Sequence, residues 1–576
     1  MYNPNRAGRC CRYEGVHLHS HRLALSGLFI VNLVAFAACT SAPTTGPSTA
    51  PQPPGPVQPR VNRVVMAVAP PTLEGASPNR DLGTPQNFQL RPMYEYLISI
   101  DAQSGKYLPQ LATDWTLEPD GKSWRFHLRK GVPFHGQKSE FTAKDVVYSH
   151  QDILPDGSIN SNAPFFRNSI EQVEAVNDAE VVVRMKAADA DFLNLFGEQI
   201  GGVMLESKVD ADAGGRPTMQ TKPTAGTGPY QFKERAQGSF VRFERVPYKH
   251  WRSTPDFPEF EFRWMKEAST RLASLLTGEV HLTAVPQDLE KQALQQGMAV
   301  VKGRVPALRV IVGFLCCTFK TAGVPSSGFA HPDSPLMDVR VRQALNRGID
   351  RDQLNKSFFG GKAELMYVNH FHPTRLGWNP DWEKRFPAEF GYDPAKARSL
   401  LADAGYTASN PYKINVVPQN IPDVPETPDV FDAIIDYWKK VGVQVTQLTM
   451  DPTQYSATGR NLGFDNHATM LVTSSSQLLG FIVYNSTYPG IGSSSNPVDN
   501  PDLFALVDKI KKEPDQDKSA AVWRQVGDLS FSLYQSVPLF WLPAEMTVNP
   551  KVVADYIFPG SISGTWTHVD MIKAAP

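Results

Sequence analysis

From about residue 62 to its end the chain alternates capped, amphipathic helix signatures with short apolar strand signatures, an order that few architectures other than layered α/β satisfy. Thr142 precedes Ala143-Lys144-Asp145-Val146-Val147, with the acidic residue three positions on that a capping box needs. Thr427-Pro428 opens a helix whose Phe431, Ile434, Ile435 and Trp438 share one face and which Gly442 ends in the left-handed region. Asp393-Pro394 starts another, carrying Ala397, Leu400, Leu401 and Ala404 to a stop at Gly405. Asp338 and Asp350 read as N-caps, the second with Gln353 in the box position. Between helices, Trp124, Phe126 and Leu128 alternate with Ser123, Arg125, His127 and Arg129 after an Asp120-Gly121 turn, which predicts a strand with one buried face. Val173 and Ala175 are set to pair with Val181 and Val183 across Asn177-Asp178. No repeat of fixed period appears.

The first 60 residues follow a different logic. Arg6, Arg9, Arg12 and Arg22 precede an uncharged run from Leu23 to Ala38, the order of a secretory signal, and the run is too short to span a bilayer comfortably. It ends in Phe36-Ala37-Ala38-Cys39, which resembles a bacterial lipobox with Phe in place of the usual Leu. That resemblance implies a signal peptide over 1–38 and lipidation of Cys39. Residues 39–61 are rich in Ser, Thr, Pro and Gly and suit a flexible tether at a membrane surface.

With 576 residues, 41% of them hydrophobic, the chain can bury the cores of two or more lobes. Lys and Arg number 57 against 58 Asp and Glu, so the positive field that a nucleic acid partner needs is missing. Of the five cysteines, Cys10 and Cys11 fall in the leader and Cys39 at its end, leaving Cys316 and Cys317. As neighbours in a strand these two would point to opposite faces, one to core and one to a cleft, so no disulfide is expected between them.

Taken in order, these segments resemble the family 5 extracellular solute-binding proteins of ABC importers, whose members take dipeptides, oligopeptides or nickel. The resemblance runs through Tyr94-Glu95-Tyr96-Leu97, Leu108 to Trp115, Asp120 to His135 and Phe141 to Val146. It continues through Gly226-Thr227-Gly228-Pro229-Tyr230, Tyr248 with Trp251, the helix from Thr270 to Leu276, Asp338 to Arg351, and Tyr392 to Tyr406. It implies a two-lobe, periplasmic-binding-protein-like α/β fold of class II with a ligand cleft between the lobes. By this reading lobe one covers 62–308 with an extra subdomain at about 90–225, lobe two covers 309–519, and 520–576 return to lobe one. The hinge would use the apolar stretches Arg309 to Phe314 and Val537 to Leu542.

The resemblance implies no catalysis and no cofactor, but capture of a peptide-like solute, or a sugar, by a monomer tethered outside the cytoplasmic membrane and serving permease subunits. Alignment places Pro70, Pro71, Phe165, Phe166, Thr283, Leu315, Cys316, His467, Thr473, Ser474, Ser475 and Trp541 at the cleft. In peptide-binding relatives an Asp after a Gly-Trp anchors the ligand's ammonium. Here Phe464 to Ser476 lacks the Gly-Trp and carries a Ser in about the place of that Asp, so a charge-assisted bond worth about 1.5 to 3 kcal/mol is missing. A blocked peptide, a sugar or another polar solute then fits the Thr/Ser-rich wall as well. Rival readings are a metal or metal-chelate binder using His370, His372 or His467, the first two sharing a face if on a strand, and a binding module that feeds a sensor. A secreted hydrolase finds no Gly-x-Ser-x-Gly elbow or His-Glu-x-x-His helix in its favour.

Overall fold

Two long strands, Ala299–Leu315 and Ser536–Val548, run antiparallel through the middle of an eleven-stranded sheet. The computed structural model describes residues 59–576 apart from 72, 83–85, 102–103, 105, 161–162, 199–201, 322–323, 420–423, 425, 475–497 and 557–567. The expected leader, Cys39 and nearly all of the tether, together with Ser475, lie outside the described residues.

At about 3.3 Å per residue, the 17-residue strand is longer than one core needs, and it serves two. To one side of the long pair stand Leu282–Thr283, Arg63–Val68, Glu259–Trp264, Phe240–Arg245 and Tyr230–Ala236. To the other stand His467–Ser474, Lys413–Val416 and Gln444–Gln447, and the eleventh, Glu364–Leu365, pairs with Ser536–Val548 off this path. Arg63–Val68 is parallel to two neighbours in the first wing, and Lys413–Val416 to two in the second, so each wing needs the crossover connections of an α/β layer. Val64, Met66, Phe260, Phe262 and Met546 form the core of the first lobe, and Val312, Phe314, Ile414, Ile434 and Trp438 that of the second. Leu308 packs against both.

Register along the long pair slips between Lys302 and Pro306, between Pro306 and Leu308, and between Val310 and Ile311. Pro306 faces Pro543, and neither can donate to the ladder. The weakest hydrogen bonding of the pair therefore coincides with the passage from one core to the other.

A separate four-stranded sheet, in the order Ala112–Leu117, Ser123–Leu128, Glu180–Met185, Ile170–Asn177, forms a subdomain with its own aromatic core of Trp124, Phe126, Phe134, Phe192 and Phe196. Val173 pairs with Val183 and Ala175 with Val181. Thr142 and Asp145 complete a capping box, with the Thr142 N–H donating to Asp145 Oδ2 at 2.8 Å.

The helix Gln516–Leu533 corrects the expectation that 520 onward belongs to the first lobe. It lies against Pro501–Lys511 and shares an aromatic core with Phe371, Trp382, Phe386 and Phe390. Arg342, on the second-lobe helix Val339–Arg347, donates to the Leu533 carbonyl at 2.8 and 2.9 Å. At Gly527 a Cβ would overlap the Trp382 ring, so the helix needs a glycine to seat there. The return to the first lobe is made by Ser536–Val548. Apolar periodicity marks a helix but not which core receives its face.

Asn79, in the loop after Arg63–Val68, ties that loop to the subdomain, its Nδ2 donating to the Met204 carbonyl and to Glu206 Oε1, both at 2.7 Å. Burial, reinforced by the charge of Asp152, pushes the Glu206 carboxyl up from 4.5 to about 8. Across that window the folded chain holds a proton that the unfolded chain has lost, so this group's contribution to stability falls as pH rises. Glu206→Gln is expected to melt with the wild type near pH 4 and to gain on it steadily up to pH 8, where the gap is on the order of a few kcal/mol. Calorimetric melts across pH check this; parallel curves for the two proteins would show that the carboxyl titrates normally in the fold.

Candidate functional site

At the passage between lobes, Arg309 stands opposite Thr473 on one neighbouring strand and Trp541 on the other. Strand alternation sends Val310 and Val312 into the second-lobe core, so Arg309 takes the opposite face. It is 2% exposed. Its Nη1 donates to Asn369 Oδ1 and, at 2.8 Å, to His370 Nε2. Accepting from a guanidinium requires a lone pair on Nε2, which places the His370 proton on Nδ1. Burial draws Arg309 down to about 9, leaving it a cation at neutral pH.

His370 has a φ of 72°, and this left-handed residue breaks the alternation that would have put it on one face with His372. His372 instead sets Nε2 2.9 Å from Glu364 Oε2 and Nδ1 2.8 Å from Thr374 Oγ1, with its ring edge-on to Trp541 at 5.5 Å. Among the described residues no group of three or more His, Cys, Asp or Glu could hold a metal.

Further along the same strand, Leu315 stands opposite His467 in an apolar cluster with Val417 and Phe464. Burial lowers the His467 pKa against the pull of Asp465. Just beyond the strand's end Cys316 and Cys317 are joined by a disulfide, against the expectation from alternation. Cys317 has a φ of 58°, so the pair lies outside the extended backbone that would have parted the two sulfurs. Both are buried, at 3% and 0% exposed. The Cys317 carbonyl accepts from the Asp499 N–H at 3.0 Å, and Asp499 Oδ2 accepts from the Phe319 N–H at 2.7 Å. Burial pushes that carboxyl up to about 6.

The lobes touch in this structure. On the first-lobe side, the hairpin Ile98–Ile100 with Tyr107–Pro109 brings Lys106 Nζ to 2.9 Å from Asp517 Oδ1 and the Tyr107 N–H to 3.2 Å from Gln516 Oε1. Near the long strands, Lys362 Nζ pairs with Glu290 and, at 3.2 Å, with Glu545. Arg375 is 6% exposed and is drawn down to about 10 by burial, with the charge of Asp101 on the first-lobe side opposing. Two rigid halves joined by a pair of weakened strands and meeting through polar groups can enclose a small molecule by closing on it.

Residues 106–489 match the family described as bacterial extracellular solute-binding proteins, family 5 Middle. The chain belongs to that family. It is 27% identical over 395 residues to the dipeptide-binding protein of Escherichia coli (strain K12), covering 65% of this chain and 69% of that one. To heme-binding protein A of Haemophilus influenzae it is 26% identical over 392 residues, covering 65% and 67%. The structure of HbpA2 from Haemophilus parasuis superimposes with a TM-score of 0.69 at 20% identity, covering 89% of this chain and all of that one. The family is one of extracellular binding proteins and not of enzymes, and its two-lobe fold is the one described above.

For this solute-binding protein the residues picked out by alignment fall into distinct places. Thr473 and Trp541 flank Arg309, while Leu315 and His467 face one another. The side chains of Phe165, Thr473 and Ser474 lie outside the described residues. Phe166 is 1% exposed in the subdomain core against Phe196 and His150, so it packs a core and lines no cleft. Thr283 is fully buried between Ala67 and Thr547 in the sheet, and Trp541, 2% exposed, packs with Ile311 and Met366. Cys316 carries no free thiol. Pro70, exposed, and Pro71, half-buried, lie at the start of the loop that follows the first strand. Missed entirely were Asn369 and Arg375; their one sequence signal is a polar stretch, 369–375, between two helices.

A chain produced from residue 61 retains Cys316 and Cys317 as its only cysteines. In denaturant it is expected to show no titratable thiol before reduction and two afterwards. Because the bridge closes so small a ring, reduction should cost only about 1 kcal/mol of stability in a denaturant melt. Two thiols found before reduction would mean the bond does not form.

Proposed function

We infer that this chain captures a short peptide or a similar polar solute outside the cytoplasmic membrane and delivers it to the permease subunits of an ABC importer, tethered by a lipid on Cys39. The observation that carries the reading is the pair of weakened strands joining two lobes, in a chain of this family whose relatives include a dipeptide-binding protein. Closure excludes water, strengthens each polar contact with the guest and gives the permease a shape to recognise. A sugar remains within reach of the same polar wall. The metal reading loses its basis with His370 and His372 facing different partners.

No described helix is long and apolar enough to cross a membrane, so in this reading anchoring falls to the N-terminus. Cys39→Ala should move the protein from the membrane fraction into the soluble extracytoplasmic fraction, with its fold unchanged by circular dichroism. If it stays with the membrane, another anchor is at work.

Native mass spectrometry of the chain from residue 61 is expected to show a retained small molecule. Free di- to pentapeptides, each at about 100 times its dissociation constant, should add about 2.7 kcal/mol of stability on heating. Nickel, iron porphyrin and neutral disaccharides form the comparison arm; stabilisation by one of these alone would replace the peptide reading.

A further inference from the structure

Among the described residues the second lobe buries four arginines, and three of them are satisfied from within. Arg342 donates to the carbonyls of Leu336, Met337 and Leu533, Arg351 to those of Asn346, Phe390 and Pro538, and Arg309 to Asn369 and His370. Arg375 is the exception. It is 6% exposed, yet its guanidinium donates to no acceptor among the described residues, and its Nη1 is wholly shut off from solvent. Its backbone is held in place, the N–H donating to the His372 carbonyl at 2.8 Å, with Gly377 pressed against Trp523 two residues on. A buried guanidinium nitrogen whose donors find no acceptor is costly, and a rigid fold keeps such a group only where something supplies one.

Its place says what that is. Arg375 ends the segment that leaves the Arg309 cluster through Asn369, His370 and His372, and the opposing charge that acts on it, Asp101, belongs to the first lobe. It therefore stands where the lobes come together.

We propose that Arg375 binds an acidic group of the solute, a carboxylate or phosphate, and so sets the ligand class of the cleft. The planar fork of a guanidinium takes either anion through two parallel hydrogen bonds. The inference rests on the reading of the chain as a solute-binding protein and narrows it. With a Ser in about the place of the ammonium-anchoring Asp, the ligand is held by its acid end.

The test uses thermal-shift titration of the purified protein and of its Arg375→Gln, Arg375→Lys and Asp101→Asn variants. The probes are trialanine, its C-terminal amide, succinate, inorganic phosphate and maltose. The wild type should bind at least one acid probe, and trialanine at least tenfold more tightly than its amide. Arg375→Gln should lose that preference, Arg375→Lys keep part of it, and Asp101→Asn keep all of it. Without ligand, Arg375→Gln should melt no lower than the wild type, since the wild-type group is unsatisfied. Succinate or phosphate binding through Arg375 while trialanine does not bind supports the inference and removes the peptide reading. Equal binding of trialanine and its amide supports the peptide reading and overturns the inference. It is equally overturned if no acid probe binds, if Arg375→Gln keeps the preference, if Asp101→Asn abolishes it as Arg375→Gln does, or if ligand-free Arg375→Gln melts early and thereby reveals a structural brace.

Discussion

One antiparallel pair of strands has to satisfy two hydrophobic cores at once. Ala299–Leu315 gives Val310, Val312 and Phe314 to the second lobe, and Ser536–Val548 gives Ala544, Met546 and Val548 to the first. A strand buried in a core keeps its ladder regular, because an unpaired amide there is expensive. Regularity is lost around Pro306, between the cores, and again between Val310 and Ile311, where the strand enters the second core. The sheet is thus continuous in topology but divided in stiffness, and relative motion of the lobes is confined to a few residues whose hydrogen bonds are already compromised.

The polar groups follow from that division. On the outward face Arg309 stands beside the small apolar cluster of Ile311, Met366 and Trp541 and fills its own position with a cation. Its neighbours Asn369 and His370 reach it from a turn that a left-handed His370 creates. The disulfide at Cys316 and Cys317 acts at the other end of the same strand: the Cys317 carbonyl receives the Asp499 amide, and Asp499 receives that of Phe319. Both ends of the second-lobe half of the long strand are therefore pinned by groups that are not part of the ladder. A hinge benefits from this, since bending is useful only if the parts on either side stay rigid.

Local order was legible in the sequence because its causes are local. The caps at Thr142, Asp338, Asp350 and Asp393 and the pairing of Val173 with Val183 depend on residues a few positions apart, and all of them are found. The placement of Gln516–Leu533 was not legible, because an amphipathic face says that a helix will be buried without saying where. Cys316 and Cys317 failed for a related reason. Alternation holds only while the backbone is extended, and a positive φ at a cysteine has no signature in the residues around it. Trp541 and Phe166 pack in cores where the sequence leads one to expect the cleft, because large aromatic rings serve cores and ligands with equal ease. Nothing in the sequence marks Arg375, because its distinction, a buried guanidinium nitrogen with no acceptor among the described residues, arises only in the fold.

The lobe contacts bear on how closure is driven. Lys106 and Asp517 are largely exposed, at 50% and 76%, and a pair of that kind is screened by salt and offset by the side-chain entropy it consumes. The Tyr107 contact runs from its backbone N–H to a glutamine side chain. Neither of these two rim contacts is strong enough by itself to hold the halves together against the freedom of an open hinge. The less exposed pairs of Lys362 with Glu290 and Glu545 lie beside the long strands, away from the rim. A binding protein has reason to be built this way, because contacts that closed it unaided would send the same signal with or without a guest. The difference must come from groups that are unsatisfied until a solute arrives, since a ligand shifts the balance only by what it gains in the closed state beyond the open one. Weak contacts at the rim and an unanswered charge within are two parts of one requirement.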